Sequence, residues 1–208
     1  NWTMRDYEGF AQNWVGLTDA DGRVYIGNRD GVLMYDGQAW RVLPVPGLFM
    51  RGLAFAADGR LYVGGTNEIG YFDRTPLGEW GPYVSLIPQV PAAERDLGDS
   101  RHVHVLPDGV YFTFARRLLR WRDGRMHSWA LTGEWGTYPY RVGDRLYLHR
   151  LGDPLRVVVG DEIQVFLDRP EIRAARLGDV IAMPDGGLLL TWLNGRTARW
   201  QDGQLKPW

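Results

Sequence analysis

The chain of 208 residues carries 24 Lys and Arg against 25 Asp and Glu, a formal net charge of −1, and 45% of its residues are hydrophobic. This composition is typical of a globular protein, and the near-neutral charge argues against a nucleic-acid partner. Cysteine is absent, which excludes disulfides and thiol chemistry. No apolar run approaches the length of a membrane-spanning helix, so we expect no membrane contact by this segment.

The stretch from Val15 to Leu43 predicts four short β-strands joined by tight turns. Asp21-Gly22 and Asp36-Gly37 separate runs rich in Val, Leu, Tyr and Trp. Asp-Gly between β-prone runs is a strong hairpin signal, because a type I′ turn needs positive φ at both central residues. Such a four-stranded meander cannot bury both of its faces alone, so it requires similar neighbours.

The same pattern recurs four more times along the chain, most weakly in the fourth copy. Repeats of this size, each a four-stranded antiparallel meander, are typical of blades in an all-β propeller. A flat sandwich is the alternative, but it does not explain why turns recur in pairs. We therefore predict one propeller domain over residues 1–208, with blades at 14–43, 50–86, 101–131, 138–167 and 177–208.

Two segments depart from the minimal turns of this pattern. The first covers residues 73–82 within the second repeat, and the second covers residues 87–100 between the second and third repeats. Long loops on a compact scaffold are where binding residues tend to lie. The sequence therefore directs attention to the surroundings of these two segments.

The opening repeats resemble a known family. Residues 6–14, 27–33 and 35–40 are similar to the first blade of two-component regulator propellers, and residues 62–65 with 68–71 are similar to a further blade. The resemblance implies an extracytoplasmic, ligand-sensing domain on the periplasmic or extracellular side of a bacterial inner-membrane receptor. It also implies further blades, a triple-tyrosine domain, a membrane span and a cytoplasmic output module as partners. The motif is structural and carries over no catalytic residue.

The number of blades raises the question of ring closure. Five blades can close a ring, but the family that the chain resembles usually has more. We expect these residues to be the leading part of a larger, seven-bladed ring, and the isolated chain to associate, for example as a homodimer, or to be marginally stable. Residues 1–10 are the segment that could add a strand and latch a smaller ring.

Blade geometry predicts where a ligand would bind. The Asp-Gly turns of every blade lie on one face, here termed the turn face, which we expect to have little room for chemistry. The loops between second and third strands and the links between blades lie on the opposite, loop face. We predict that a small polar molecule, an oligosaccharide or a small anion binds at the loop-face mouth. The candidate binding residues are Trp14, Asn28, Arg29, Arg51, Asn67, Glu68, Arg101, His102, Arg116, Tyr138, His149, Arg150, Trp192 and Asn194.

An enzyme of the glycosidase or lyase class is the alternative to a sensor. A glycosidase needs two carboxyl groups across the scissile bond, whereas the blade-start positions hold Trp14, Arg51, Arg101 and Tyr138. A lyase acting on a cyclic peptide antibiotic could use His and Glu as base and acid. His102 and His104 share one strand face, but a metal site needs more ligands. We therefore predict a non-enzymatic domain without catalytic residues, metal or cofactor.

Overall fold

The computed structural model describes residues 4–7, 9–131 and 136–208, and it contains five four-stranded antiparallel sheets. In every sheet the strands follow one another in chain order as a meander. The prediction of an all-β propeller with five blades is thereby confirmed. Residues 1–10 are the segment that was predicted to latch a ring by adding a strand. Within it, Met4–Tyr7 forms a short helix, α1, rather than a strand. Residues 1–3 and residue 8 lie outside the described residues.

The chain divides into two compact units, and the first contains blades 1 to 3. Blade 1 consists of β1 (Asn13–Thr18), β2 (Val24–Asn28), β3 (Gly31–Tyr35) and β4 (Trp40–Pro44). Blade 2 consists of β5 (Leu48–Phe55), β6 (Leu61–Thr66), β7 (Glu68–Arg74) and β8 (Trp80–Ser85). Two 3-10 turns, Ile87–Gln89 and Ala92–Glu94, follow blade 2. Blade 3 consists of β9 (His102–Leu106), β10 (Gly109–Thr113), β11 (Arg117–Arg122) and β12 (Arg125–Ala130).

The second unit contains blades 4 and 5, together with residues 106–108. Blade 4 consists of β13 (Tyr138–Val142), β14 (Arg145–His149), β15 (Leu155–Val159) and β16 (Glu162–Leu167). A short helix, α2 (Pro170–Ala174), leads to the last blade. Blade 5 consists of β17 (Leu177–Ala182), β18 (Leu188–Trp192), β19 (Thr197–Gln201) and β20 (Gln204–Pro207).

Alternation along the strands builds a core between neighbouring blades of the first unit. In β6, Leu61 and Val63 pack into the cluster shared with blade 1, whereas Tyr62 between them packs into the cluster shared with blade 3. Successive side chains of a strand point to opposite faces, so a blade with neighbours on both sides buries both sets. The second unit has its own core, in which Leu155, Ile172 and Leu190 are fully buried.

The predicted turns carry the expected glycine conformations. Gly22, Gly37, Gly59, Gly124, Gly186 and Gly203 all have positive φ, as sharp reversals require. The type I′ assignment holds only in part. Asp123 and Asp202 have positive φ together with the following glycine, while at Asp36 the glycine alone does. There the Asp36 side chain instead accepts hydrogen bonds from the Gln38 and Ala39 amides, at 2.9 and 2.8 Å, and so stabilises the turn.

Substituting Gly37 tests this turn. Gly37 has φ of +97° with open space around it, so Gly37→Val introduces backbone strain without a steric clash. We expect a loss of about 1–3 kcal/mol in the free energy of unfolding, measured by chemical denaturation. The matched control is Gly16→Val in β1, where the nearest atom to an added Cβ is the Tyr25 carbonyl oxygen at 3.8 Å. If both variants unfold like the parent, the turn assignment is wrong.

Candidate functional site

Aromatic and arginine side chains meet at the loop face of blades 1 and 2. The rings of Trp14 from β1 and Phe49 from β5 pack edge to face, with centroids 5.3 Å apart. The Arg51 guanidinium carbon lies 5.1 Å from the Trp14 centroid and 5.6 Å from the Phe49 centroid. These residues and three neighbours form the loop-face cluster, which consists of Phe10, Trp14, Arg29, Phe49, Arg51 and Asp99.

Arg51 is fixed by a carboxylate from the long inter-blade segment. Its Nη1 donates to Asp99 Oδ2 at 2.6 Å, and Thr66 Oγ1 donates to Asp99 Oδ1 at 2.6 Å. Thr66 and Asp99 also pair as an isolated antiparallel bridge. The prediction that residues 87–100 lie near a site stays open, but the segment does supply a charged member of the cluster. Arg51 and Asp99 neutralise each other and are held rigidly.

Arg29 is the more exposed cation of the cluster. Its side chain is 41% exposed, and its nearest carboxylate oxygen, on Asp30, is 4.0 Å away. The guanidinium carbon lies 4.8 Å from the centroid of Phe10 and 6.0 Å from that of Phe49. The two rings orient the group by cation–π attraction. The Arg29 Nε atom is buried, so the two terminal nitrogens are the donors left for a bound molecule.

The backbone at Phe49 is unusual. Phe49 has φ of +58°, which bulky residues rarely adopt, and it follows Gly47, whose φ is +127°. The Phe49 amide donates to the Arg29 carbonyl at 3.1 Å, and the β5–β6 register shifts between Leu48 and Gly52. This arrangement places the Phe49 ring between two arginines. Strained backbone of this kind clusters at functional positions.

The cluster combines flat apolar surface with donors and acceptors. The rings offer π faces, the guanidinium groups offer hydrogen-bond donors, and Asp99 offers an acceptor. Phe10 is 39% exposed, so part of this surface is open to solvent. A polar molecule with an apolar face fits such a surface better than a purely apolar one does.

Three of the predicted binding residues, Trp14, Arg29 and Arg51, are brought together in this cluster. Asn28 is placed differently, because it is completely buried. Its Nδ2 donates to the Phe10 carbonyl at 2.7 Å and to Asn13 Oδ1 at 2.8 Å, so it anchors the chain that leads into β1. Asn28 is therefore out of reach of a ligand.

The two other predicted residues of blade 2 hold its loops together. Asn67 has φ of +53°, and its Oδ1 accepts the Leu97 and Gly98 amides at 2.9 and 2.6 Å. Glu68 Oε1 accepts hydrogen bonds from Ser85 Oγ at 2.6 Å and from Tyr83 Oη at 3.2 Å. Both side chains are engaged within blade 2 and the segment that follows it.

Blade 3 contains three of the predicted residues, Arg101, His102 and Arg116. None of them has a described contact with the loop-face cluster. Arg101 and Arg116 are exposed, and their backbones bond to Thr113 and Leu131. The rings of His102 and His104 stack at 6.2 Å, so the predicted sharing of one strand face is confirmed. Burial, and then the nearby charge of Arg101, lower the pKa of His102.

In the second unit, two predicted residues are part of the core. His149 is 1% exposed, its Nε2 lies 3.0 Å from the Ile172 carbonyl, and its Nδ1 accepts the Leu177 amide at 3.4 Å. Burial lowers the pKa of His149, which favours the neutral ring that these contacts need. Trp192 is also buried, and its Nε1 donates to the Glu171 carbonyl at 3.2 Å. Neither side chain is accessible to a ligand.

The remaining predicted residues of the second unit are nearer its surface. Arg176 stacks on Tyr138, with its guanidinium carbon 3.9 Å from the ring centroid, and donates to the Tyr138 hydroxyl at 2.8 Å. Arg150 pairs with Asp153 at 2.6 Å. Asn194 lies in an exposed turn, where its Oδ1 accepts the backbone amide of residue 196 at 3.2 Å.

The turn face of blades 1 and 2 differs from expectation, because it carries two clefts of about 350 and 360 Å³. The expectation of little room there is wrong for these blades. The β7–β8 connection, from Thr75 to Glu79, is longer than a minimal hairpin and forms part of one wall. Arg74, at the end of β7, lines both clefts.

Arg74 connects blade 2 to blade 1 at this face. Its guanidinium carbon lies 3.7 Å from the Trp80 ring centroid, and its Nη1 donates to the Gly78 carbonyl at 2.9 Å. Its Nη2 reaches Asp19 Oδ2 and the Tyr25 hydroxyl in blade 1, at 3.0 Å each. Burial raises the pKa of Asp19, but hydrogen bonds from Arg23, Tyr25 and Asp21 outweigh it and lower the pKa, so the carboxylate stays charged.

Comparison with known proteins places the fold and leaves the family unassigned. No family model matches the chain, and no curated protein matches it in sequence. Among solved structures, virginiamycin B lyase from Staphylococcus aureus is 16% identical with a TM-score of 0.67, and the match covers 99% of this chain and 71% of the lyase.

Extracellular domains assigned to two component systems are similar as well. That of BT4673 from B. thetaiotaomicron, assigned to a hybrid two component system, is 13% identical with a TM-score of 0.64. The match covers 94% of this chain but 27% of that domain. The corresponding domain of BT3049 is 11% identical with a TM-score of 0.61, over 92% of this chain and 28% of that one. At these identities the likeness concerns the propeller fold.

The described residues lack two further kinds of feature. They contain no group of three or more His, Cys, Asp or Glu side chains placed to hold a metal ion. They also contain no helix with the length and hydrophobicity needed to cross a bilayer.

The contribution of Glu68 to the stability of the fold depends on pH. Burial raises its pKa above the ordinary 4.5, and hydrogen bonds from Ser85 and Tyr83 offset this only in part. The folded state therefore holds the proton more tightly than the unfolded state. The stability that Glu68 contributes is present below its unfolded pKa and is lost as pH rises through the folded value.

We therefore expect the free energy of unfolding of Glu68→Gln to increase relative to that of the parent as the pH rises from about 4 to about 7. Urea unfolding at each pH measures the difference between the two free energies of unfolding. Glu162→Gln, on the exposed face of β16, is the matched control. A difference between Glu68→Gln and the parent that shrinks with rising pH would contradict the placement of this carboxyl.

Proposed function

We propose that the chain is an extracytoplasmic, ligand-sensing propeller domain of a bacterial signal-transduction receptor. Its ligand is a small polar or carbohydrate-like molecule bound at the loop-face cluster. The observation that carries this proposal is the Trp14–Phe49 pair, with Arg51 held against both rings by Asp99. The likeness to extracellular domains assigned to two component systems, over 94% and 92% of this chain, supports the sensor class.

Each member of the cluster has a separate role in the proposed binding. The Trp14 and Phe49 rings take the apolar face of a sugar ring. Arg29, which is 41% exposed, donates hydrogen bonds to ligand hydroxyl or carboxylate oxygens. Arg51 and Asp99 are already paired at 2.6 Å, so they present a donor and an acceptor in a fixed arrangement. Such preorganisation lowers the entropy cost of binding.

The wider setting belongs to the same proposal. The domain lies on the periplasmic or extracellular side of the inner membrane and works as part of a longer receptor. Its partners are further propeller blades and downstream signalling domains, which pass ligand binding on to a cytoplasmic output module. The support is the resemblance of the first two repeats to two-component regulator propellers, together with the two structural neighbours.

Ligand binding is tested in two steps. A thermal-shift screen against sugars, oligosaccharides and small anions first identifies a molecule that raises the melting temperature. Calorimetric titration then compares Trp14→Ala and Arg51→Ala with the parent. We expect each variant to weaken binding at least ten-fold, about 1.4 kcal/mol, because each removes a contact at the centre of the cluster.

Arg125→Ala is the matched control, since Arg125 is an exposed arginine of β12 and is not among the candidate binding residues. It should bind the ligand like the parent. Thermal unfolding without ligand verifies that each variant is folded. Parental affinity in both Trp14→Ala and Arg51→Ala would remove the loop-face cluster as the binding site.

A propeller lyase is the second candidate function. Two lyase structures share the fold, with TM-scores of 0.67 and 0.65, and the stacked His102 and His104 rings are the side chains best suited to acid–base work. Liquid chromatography with tandem mass spectrometry after incubation with virginiamycin B tests it directly. Ring opening by elimination leaves the mass unchanged, so the linear product is recognised by its retention time and fragment ions. A linearised product that disappears in His102→Gln would favour the lyase, whereas intact antibiotic favours the sensor.

A further inference from the structure

The turn face of blades 1 and 2 offers a binding site distinct from the loop-face cluster. Arg74 lies between the two clefts described above and contributes to both. The cleft of about 350 Å³, termed here the outer cleft, lies between the outer strands of blade 1 and the β7–β8 turn of blade 2. Its volume is in the range of small-molecule pockets.

The outer cleft has an apolar floor. Met34 from β3 and Leu43 from β4 come from blade 1, and Trp80 from the start of β8 comes from blade 2. The Arg74 guanidinium covers one face of Trp80, at 3.7 Å from the ring centroid. Contact with Met34 and Leu43 therefore favours a flexible aliphatic group over a flat aromatic ring.

The blade 1 rim carries a cation with most of its donors unengaged. The Arg41 side chain is 65% exposed. Among the described residues it forms one ion pair, with 3.4 Å between its Nη2 and Asp36 Oδ2. Asp36 is committed to its own turn, because its Oδ1 accepts the Gln38 and Ala39 amides. These backbone hydrogen bonds lower the pKa of Asp36. The carboxylate stays in the turn, so the Arg41 guanidinium can donate two parallel hydrogen bonds to a bound carboxylate.

The blade 2 rim carries the opposite charge. Glu79 is exposed in the β7–β8 turn, and among the described residues it forms no ion pair. Its backbone amide is held by Thr75 Oγ1 at 3.2 Å, which fixes the turn. The cleft thus presents an available cation from blade 1, an available carboxylate from blade 2, and an apolar floor between them.

We propose that the outer cleft binds a short zwitterionic peptide with aliphatic side chains. The peptide carboxylate binds Arg41, the peptide ammonium group binds Glu79, and an aliphatic side chain packs on Met34 and Leu43. A simple anion would bind Arg41 and leave Glu79 without a partner, and a simple cation would do the reverse. An uncharged apolar molecule would pair with neither charge. This site goes beyond the proposed function and does not depend on it.

The probe is the dipeptide Leu-Leu, with binding measured by calorimetric titration. We expect Leu-Leu to bind the parent, and Arg41→Gln and Glu79→Gln each to weaken binding at least ten-fold. Arg125→Gln and Glu162→Gln, exposed residues of β12 and β16, are the matched controls and should bind like the parent. Gly-Gly, which lacks the aliphatic side chains, should bind at least ten-fold more weakly than Leu-Leu.

Blocked probes assign each end of the peptide. N-acetyl-Leu-Leu lacks the ammonium group, so its residual binding should be insensitive to Glu79→Gln and still sensitive to Arg41→Gln. Leu-Leu amide lacks the carboxylate and should show the reverse. No binding of Leu-Leu, or equal losses in the control variants, would overturn the proposal.

One more variant separates this proposal from the function proposed above. Trp14→Ala changes the loop-face cluster and should leave Leu-Leu affinity unchanged. If Trp14→Ala weakens Leu-Leu as strongly as Arg41→Gln does, the peptide binds elsewhere and the outer cleft is excluded. Loss of oligosaccharide binding alone in Trp14→Ala leaves the peptide site intact.

Discussion

Close approach of neighbouring blades at their first and second strands is the constraint on which the first unit depends. A Cβ on Gly27 of β2 would clash with the carbonyl oxygen of Met50 in β5, and a Cβ on Gly64 of β6 would clash with the Ser100 hydroxyl. A Cβ on Gly52 of β5 would lie 2.7 Å from a methyl carbon of Val103 in β9. Glycine at these positions lets the backbone of one blade pass directly against the next. Larger residues there would push the blades apart and open the core between them.

The loop-face cluster follows from the same approach. Because β5 lies against Gly27, the Phe49 amide reaches the Arg29 carbonyl, and the Phe49 ring enters the space beside Trp14 and Arg51. Both units have a second strand in which a Tyr is followed by an aliphatic residue, Tyr25-Ile26 in β2 and Tyr147-Leu148 in β14. The next residue is Gly27 in β2 and His149 in β14. Its ring is buried and contacts the backbones of residues 172 and 177. The same position thus holds a glycine at close backbone approach in one unit and a buried histidine in the other.

The fold was predictable because its information is local, and the site was predictable only in part. Paired turn residues identify the blades, and the blade-start position of Trp14 and Arg51 places both at the loop face. Burial of Asn28 and His149 was not predictable, because their partners lie 18 and 23 residues away in sequence. Phe49 was missed because positive φ at a non-glycine residue leaves no mark in the sequence. The turn-face clefts were missed because Arg74 makes its blade 1 contact with a residue 55 positions earlier.

The central claim is that a ligand binds against Trp14 on the loop face. The most direct test uses chain labelled with ¹⁵N at its ten tryptophans, whose indole resonances are assigned by substitution. The labelled chain is titrated with the oligosaccharide that stabilises it most. The account predicts that the Trp14 resonance shifts with increasing ligand while the buried Trp192 resonance stays in place. A Trp14 resonance that does not move while another tryptophan shifts, or the absence of any stabilising molecule, would contradict it.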